Sequence, residues 1–329
     1  MLATYIHNMD PVIFDVVGPI KLRWYGLGYL LGFVLGFLLL RWLARKKLWV
    51  LPAEKVADFI AYSAFFGVFL GGRFGYILFY QLQTVSGRAE FADDPLMIFR
   101  VWDGGMASHG GILGLVIFTY FYARKNKVSW TGVGDGLCVV APIGIALVRL
   151  ANFINGELYG RVTSGVSWAM KFPGALRENG RAWDAVNACR PLAPEIDNFR
   201  GSDNEVFSQQ LSYLIDQSRD RPEILNALGE YVQARHPSQL YEALLEGFVL
   251  FAILFALRVR IPKLANGVIT GLFFVLYAVF RIIVENYREP DVGQALIMGL
   301  TKGQFYSTFM IVGGLCFLAY SLKRKQPSV

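Results

Sequence analysis

Val148-Arg149-Leu150-Ala151-Asn152-Phe153-Ile154-Asn155-Gly156-Glu157-Leu158-Tyr159-Gly160 closes an apolar run that begins near Val133, and sets an arginine, two asparagines and a glutamate at its end. A run of about twenty apolar residues is long enough to cross a hydrocarbon core about 30 Å thick. Read as a helix, it places Arg149 and Asn152 at i and i+3, with Gly156 a turn later, so the polar residues share one face. An arginine at mid-bilayer costs about 2.5–3.5 kcal/mol on insertion scales, so it faces the bundle interior and has a partner or a ligand. The alternative is a helix end whose polar residues cap it and snorkel to the interface.

Working outward, the same apolar length recurs along the chain. With 54% hydrophobic and 17% charged residues and a mean hydropathy of +0.41, the 329 residues read as a polytopic membrane protein and not as two soluble domains. The net charge of +7 does not imply nucleic acid, because the basic residues cluster at the ends of apolar runs, where they act as topology signals. Cys138, Cys189 and Cys316 are widely separated and form neither a disulfide framework nor a CxxC metal pattern. The N-terminus lacks the pattern of a cleaved signal peptide, so the first apolar run is expected to remain as a span.

Seven spans are expected: about Ile20–Leu43, Val56–Tyr80, His109–Arg124, Val133–Ile154, Ser238–Leu257, Gly267–Tyr287 and Gln304–Leu322. Basic clusters at Arg41 to Lys55, Arg124 to Lys127, Arg258 to Lys263 and Lys323 to Lys325 mark the cytoplasmic ends, which puts the N-terminus outside and the C-terminus inside. The fold class is therefore an all-α integral membrane protein of seven transmembrane helices, with a soluble insertion between the fourth and fifth. Its segments are 1–160, with spans one to four behind an interfacial N-terminal segment; 161–236, a polar insertion with helical patterning around Glu205–Arg235; and 237–329, with spans five to seven. Turn signals fall at Asp10-Pro11 and Gly18-Pro19. Glycines at four-residue spacing, Gly28, Gly32 and Gly36 in the first span and Gly67, Gly71 and Gly75 in the second, predict close helix contacts.

This topology brings the intramembrane polar residues to one depth, near the outer face. Tyr25 opens the first span, Arg73 lies in the outer third of the second and His109 opens the third. Arg149 to Glu157 closes the fourth, Gln239, Glu242 and Glu246 lie at the outer end of the fifth, and Tyr277, Arg281 and Glu285 form an i, i+4, i+8 stripe on the sixth. Each also has a duller reading. Glu242 and Glu246 read as structural counter-ions, Arg73 as either a packing or a functional cation, and His236 as an interfacial cap. His109 reads as a base, because Gly110 and Gly111 leave its imidazole approachable and imidazole alone titrates near neutrality.

Guanidinium groups at that depth suit phosphate, which they bind bidentately without losing their charge, and the phosphate found there belongs to lipid headgroups. No GxSxG elbow, HExxH helix or P-loop is present. The residues then leave a phospholipid-modifying enzyme, another headgroup enzyme, or a transporter or flippase that uses the arginines as a relay. The cytoplasmic halves of the spans, nearly devoid of ionisable residues on this reading, count against the transporter.

The run Arg149-x-Ala-Asn152-Phe-Ile-Asn155-x-Glu157-x-x-Gly160 resembles the signature of the bacterial prolipoprotein diacylglyceryl transferases. Trp24-Tyr25-Gly26, Gly71-Gly72-Arg73, Trp102-Asp103-Gly104-Gly105-Met106, His109-Gly110-Gly111, Arg235 to Glu242, and Phe280-Arg281 with Glu285 are similar to that family's other blocks, in order. Val148 and Ala151 stand where the family more often has glycine. The resemblance implies transfer of the diacylglyceryl group of phosphatidylglycerol to the lipobox cysteine of prolipoprotein signal peptides, in the bacterial inner membrane and without metal or nucleotide. It implies His109, Arg149 and Arg281 as catalytic residues. Tyr25, Arg73, Asn152, Glu157, Gly160, Tyr277 and Glu285 are implied, with the two arginines, to bind the phosphatidylglycerol.

Overall fold

The computed structural model describes residues 4–17, 20–100, 104–178, 180–290 and 296–324. The turn at Gly18-Pro19, Trp102-Asp103 of the fourth motif block and Lys325 of the last basic cluster lie outside them. The N-terminal segment forms three short strands, β1 (Tyr5–Ile6), β2 (Val12–Val17) and β3 (Ile20–Arg23), with β2 and β3 paired as an antiparallel hairpin. The first long helix, α1 (Trp24–Arg45), thus starts later than hydropathy suggests, because Ile20–Arg23 has a strand partner that a hydropathy window does not register.

Six helices among the described residues are long and apolar enough to cross a membrane: α1, Ala53–Gln83, Trp130–Asn155, Ser238–Arg260, Val268–Glu285 and Lys302–Lys323. The protein is a mostly helical, multi-pass membrane protein. The expected third span appears as the helix Ser108–Lys125, but Ser108 and His109 at one end and Arg124 and Lys125 at the other lower its mean hydropathy, and it is not among the six. We label the helices α2 (Ala53–Gln83), α3 (Val85–Asp93), α4 (Ser108–Lys125), α5 (Trp130–Asn155), α6 (Ala182–Cys189), α7 (Asp203–Gln217), α8 (Pro222–Gly229), α9 (Ser238–Arg260), α10 (Val268–Glu285) and α11 (Lys302–Arg324). Large apolar side chains stay exposed along these helices, among them Phe65, Phe74, Phe248, Phe309 and Leu315 on the candidate spans, as suits surfaces that face lipid.

Met1–Gly32, Pro142–Leu250 and Val275–Val312 pack as one unit, and Phe33–Ala141, Phe251–Phe274 and Gly313–Val329 as a second. In the first unit, Gly28 and Gly32 let α1 approach α5: a Cβ at Gly28 would stand 3.3 Å from the Leu147 carbonyl oxygen, and one at Gly32 would stand 3.4 Å from Gly144. The polar insertion carries a core of its own, in which Leu176, Val186, Leu211, Leu214, Ile224 and Leu228 pack between α6, α7 and α8. A capping box, Ser202 with Glu205, opens α7, and Pro222 opens α8 at the position where its missing N–H costs nothing. Cys189 is buried in that core, and burial pushes its thiol up to about 11. Strand β1 pairs in parallel with β4 (Met170–Lys171), which pairs antiparallel with β5 (Ala234–Arg235), tying both ends of the insertion to the N-terminus.

In the second unit, α2 contains a π-helical stretch, Ser63–Leu70, and lays Gly67, Gly71 and Gly75 against α4. A Cβ at Gly71 or Gly75 would run into the backbone of Gly110 or Gly114. Gly110 is therefore needed for helix packing, a role that its place beside His109 does not announce. Arg258, read as a topology signal, is buried, and its guanidinium donates to Asp135 at 3.1 Å.

Candidate functional site

Gly247 begins the site. A Cβ there would overlap Ala146, so the glycine brings α9 against α5 and sets Glu242 and Glu246 opposite Arg149. Both glutamates are 0% exposed, and the π-helical stretch Ala243–Val249 widens the turn that carries Glu246, a distortion frequent at functional sites. Glu242 is the hub. Its Oε1 accepts from Arg281 at 2.6 Å and from Arg288 at 2.9 Å, and its Oε2 lies 3.1 Å from Arg149 Nε.

Glu246 is held differently. Its carboxylate oxygens lie 3.9 Å from Arg149 and 3.7 Å from Arg281 and accept no hydrogen bond. Arg281 is also anchored from its own helix, where Glu285 receives its second terminal nitrogen at 2.9 Å. Glu285 is in turn fixed by Thr301 Oγ1 at 2.8 Å, and the glycine at position 303 leaves room for its carboxylate, which a Cβ there would approach to 2.7 Å and displace. Three guanidiniums thus face three carboxylates. The arginines keep side-chain exposures of 19% for Arg149 and 16% for Arg281, so each is gripped by carboxylates while part of it stays open.

Tyr277 lies in the field of Glu246, Arg281, Arg149 and Glu242. Tyr25 hydrogen-bonds Tyr29, their rings 5.3 Å apart, and Tyr29 feels the charge of Arg149. The signature run leaves its helix sharply: Gly156 has φ +68° and Leu158 φ +55°, the latter a strained value for a branched side chain. Asn152 and Asn155 both donate to Glu157 Oε1, at 2.8 and 3.2 Å. The first turn of α9 pins the loop from the other side, Gln239 donating to the Glu157 carbonyl at 2.6 Å and Ser238 to the Leu158 carbonyl at 3.0 Å. Gly160 donates to the His236 carbonyl at 2.8 Å, and a Cβ there would overlap both that carbonyl and the one of Tyr287. His236 stacks edge-on with Tyr241 and Tyr287, and burial lowers its pKa.

Of the residues singled out by sequence, the first unit brings together Arg149, Asn152, Glu157, Gly160, Tyr25, Tyr277, Arg281 and Glu285. Arg73 and His109 belong to the second. Arg73 is buried and donates to the carbonyls of Met97, Ile98, Gly104 and Gly105, so its guanidinium staples the loop before α4. His109 is exposed at the start of α4. Sequence reasoning passed over the hub role of Glu242, the loop-pinning role of Gln239, and Arg288 and Tyr29 as members of the site. The i, i+3, i+7 spacing of Gln239, Glu242 and Glu246 was visible, but nothing in it tells a hub from a counter-ion.

A multi-pass membrane protein with open guanidiniums over a buried carboxylate hub belongs to the class that handles anionic lipid or another phosphate-bearing ligand at the membrane. The model of the family described as prolipoprotein diacylglyceryl transferase matches residues 11–320, and the chain belongs to that family. Proteins of that kind, named phosphatidylglycerol–prolipoprotein diacylglyceryl transferase, are similar over nearly the whole length. One from Serratia proteamaculans is 40% identical over 97% of this chain and 95% of its own. One from Photorhabdus laumondii is 38% identical over 97% and 94%, and one from Escherichia fergusonii is 38% identical over 98% of each.

Proposed function

We propose that this chain transfers the diacylglyceryl group of phosphatidylglycerol to the lipobox cysteine thiol of prolipoproteins, releasing glycerol phosphate. The observation that carries this reading is the pair Arg149 and Arg281, fixed by Glu242 and Glu246 while part of each stays open. The cluster is formally balanced until a phosphodiester enters. The incoming anion then meets guanidiniums that are already oriented, which stabilises charge as it grows on the leaving phosphate. In the step itself the S–H proton passes to a base, sulfur bonds to the glyceryl carbon bearing the phosphate, and that C–O bond breaks with its electrons leaving on glycerol phosphate.

A cysteine thiol is mostly protonated at neutral pH, so a base raises its reactive fraction. In this reading His109 is that base. Tyr25, Asn152 and Tyr277 orient the headgroup and Gly160 permits the tight turn; of the two glutamates expected to hold the arginines, Glu285 holds Arg281, whereas Glu157 holds Asn152 and Asn155 instead. Arg73 contributes through the loop whose carbonyls it binds. We also propose α4 as a seventh span, which puts the N-terminus and residues 161–236 on the periplasmic face of the bacterial inner membrane and the C-terminus in the cytoplasm. The chain then divides as 1–160, 161–236 and 237–329.

The test incubates purified protein with phosphatidylglycerol and a lipobox peptide and looks for the thioether and for glycerol phosphate. Neither product from the wild-type protein would sink the reading. Undiminished turnover in His109→Gln would remove it as the base while leaving the transfer intact.

A further inference from the structure

On the first unit, a polar cavity of about 430 Å³ opens beside the signature loop. Its size suits a small-molecule or short-peptide ligand, within the range of about 300–1,000 Å³ of known pockets. One wall is the loop itself, Asn155 to Tyr159; the facing walls come from His7 to Met9 and from the insertion, through Arg177 and Arg219. One of its lining residues, Arg288, reaches the arginine cluster, and another, Glu157, reaches back into the helix that carries Arg149. Glu157 holds Asn152, and Arg288 donates to Glu242.

The charge of the lining decides what fits. Three guanidiniums, Arg177, Arg219 and Arg288, face four carboxylates, Glu157, Glu178, Asp216 and Glu289. Arg219 is paired with Asp216 at 3.0 Å and Arg288 with Glu242 at 2.9 Å. His7 is neutral at pH 7, since burial lowers its pKa to about 4. An anion would gain nothing here, in contrast to the open part of Arg149 and Arg281. Neutral hydrogen-bonding groups are also available: the Asn8 side chain, and Asn155 Oδ1 and His7 Nε2, which are buried and lack a hydrogen-bond partner. A buried acceptor without a donor is costly and is satisfied by a ligand's N–H.

We infer that this cavity binds the polypeptide of the acceptor substrate just beyond its reactive cysteine. The inference rests on the transferase reading above. A thiol brought to the arginines from within the membrane belongs to a chain that continues toward water, and the cavity begins where the arginine cluster ends. Its mixed, nearly neutral walls match peptide amides, with their paired donors and acceptors, and do not match the phosphate of the donor lipid.

The experiment compares a lipobox peptide that ends at the cysteine amide with one extended by a few residues past it, each titrated against saturating phosphatidylglycerol. Two or three hydrogen bonds give the extended peptide a KM at least about ten-fold lower at equal kcat. Asn8→Trp, which fills the cavity from an exposed position, brings the extended peptide's KM up to that of the short one. It leaves turnover of the short peptide and the KM for phosphatidylglycerol unchanged. Arg219→Ala gives a smaller shift in the same direction, and turnover of the short peptide reports that either variant is folded.

Equal KM values for the two peptides on the wild-type protein would overturn the proposal, as would a ten-fold preference that survives Asn8→Trp. So would a variant in which only phosphatidylglycerol or inhibition by glycerol phosphate is affected, since the cavity would then be a headgroup site. No thioether from either peptide is the failure of the transferase reading instead.

Discussion

Arg149 and Arg258 each meet a buried carboxylate at 3.1 Å, but the two regions around them are built for different ends. In the second unit, Asp135 accepts from Arg258, from the backbone N–H groups of Gly267 and Thr270, and from the Thr270 hydroxyl, at 2.8 to 3.1 Å. Gly267 reaches it with φ +98°, where a side chain would run into Ser321 and Phe317. That carboxylate is fully subscribed, and the pair is 3% and 1% exposed. In the first unit, Glu246 has only distant cations, and the arginines stay partly open. Low dielectric raises the strength of both sets of interactions. The closed set locks helices together, whereas the open one holds charge ready for a ligand.

The strongest way to break this comparison is to remove an arginine from each region. Arg149→Ala or Arg281→Ala is expected to lower kcat/KM by about 10²–10³-fold or more, the loss seen when one preorganised charge stabiliser is removed. Thermal melting in detergent should fall as well, because Glu242 and Glu246 lose a cation at a buried site, so the loss is read as turnover per folded molecule. Full activity in either variant would show that the open cluster does not handle the phosphate. Arg258→Met should destabilise the fold by about 3–5 kcal/mol, because it leaves Asp135 buried without its cation, and should spare the chemistry. Turnover per folded molecule should stay within a few-fold of wild type. A melting temperature equal to wild type would show that Asp135 finds another partner.

A third comparison uses pH. His7 packs between Phe153 and Phe172, against Gly156 of the signature loop. Burial lowers its pKa from 6.5 to about 4, so the folded protein keeps it neutral where the unfolded chain would protonate. Its contribution is fully present above pH 6.5 and is lost as pH falls toward 4, by about 3 kcal/mol at most. Melting curves of wild type and His7→Gln between pH 7 and 4 should converge at the acid end; parallel curves would show that His7 does not carry this dependence. The smallest expected effect comes from Gly303→Ala, which presses on the Glu285 carboxylate and shifts Arg281. A misplaced guanidinium should reduce kcat about ten-fold with little change in stability. An unchanged kcat would mean that Arg281 does not depend on Glu285 for its orientation.

Much of this was legible in the chain. Helix lengths and ends followed from apolar runs bounded by basic clusters, and the glycine stripes of α1 and α2 fell where helices approach. The polar residues of the signature run, Arg281 and Glu285 were visible as groups too costly to bury without purpose. Less legible was the start of α1, because β3 is held by pairing with β2, and pairing leaves no trace in a hydropathy window. The roles of Arg73 and Gly110 were also hidden. The same arginine can bind a phosphate or four carbonyls, and the same glycine can expose a neighbour or admit a helix. Only the position of the partner distinguishes the two.

The sequence by itself determined that the chain crosses a membrane repeatedly and carries arginines, carboxylates and amides in its spans, since period, length and burial cost are properties of each segment alone. Tertiary structure alone decided which of those charges are closed and which are open. Glu242 became the hub because Gly247 admits α9 to Ala146, and Arg258 became a lock because Gly267 and Thr270 turn their N–H groups on Asp135. Whether a buried charge is satisfied depends on donors from distant parts of the chain, and their arrival is a fact of packing that no local pattern encodes.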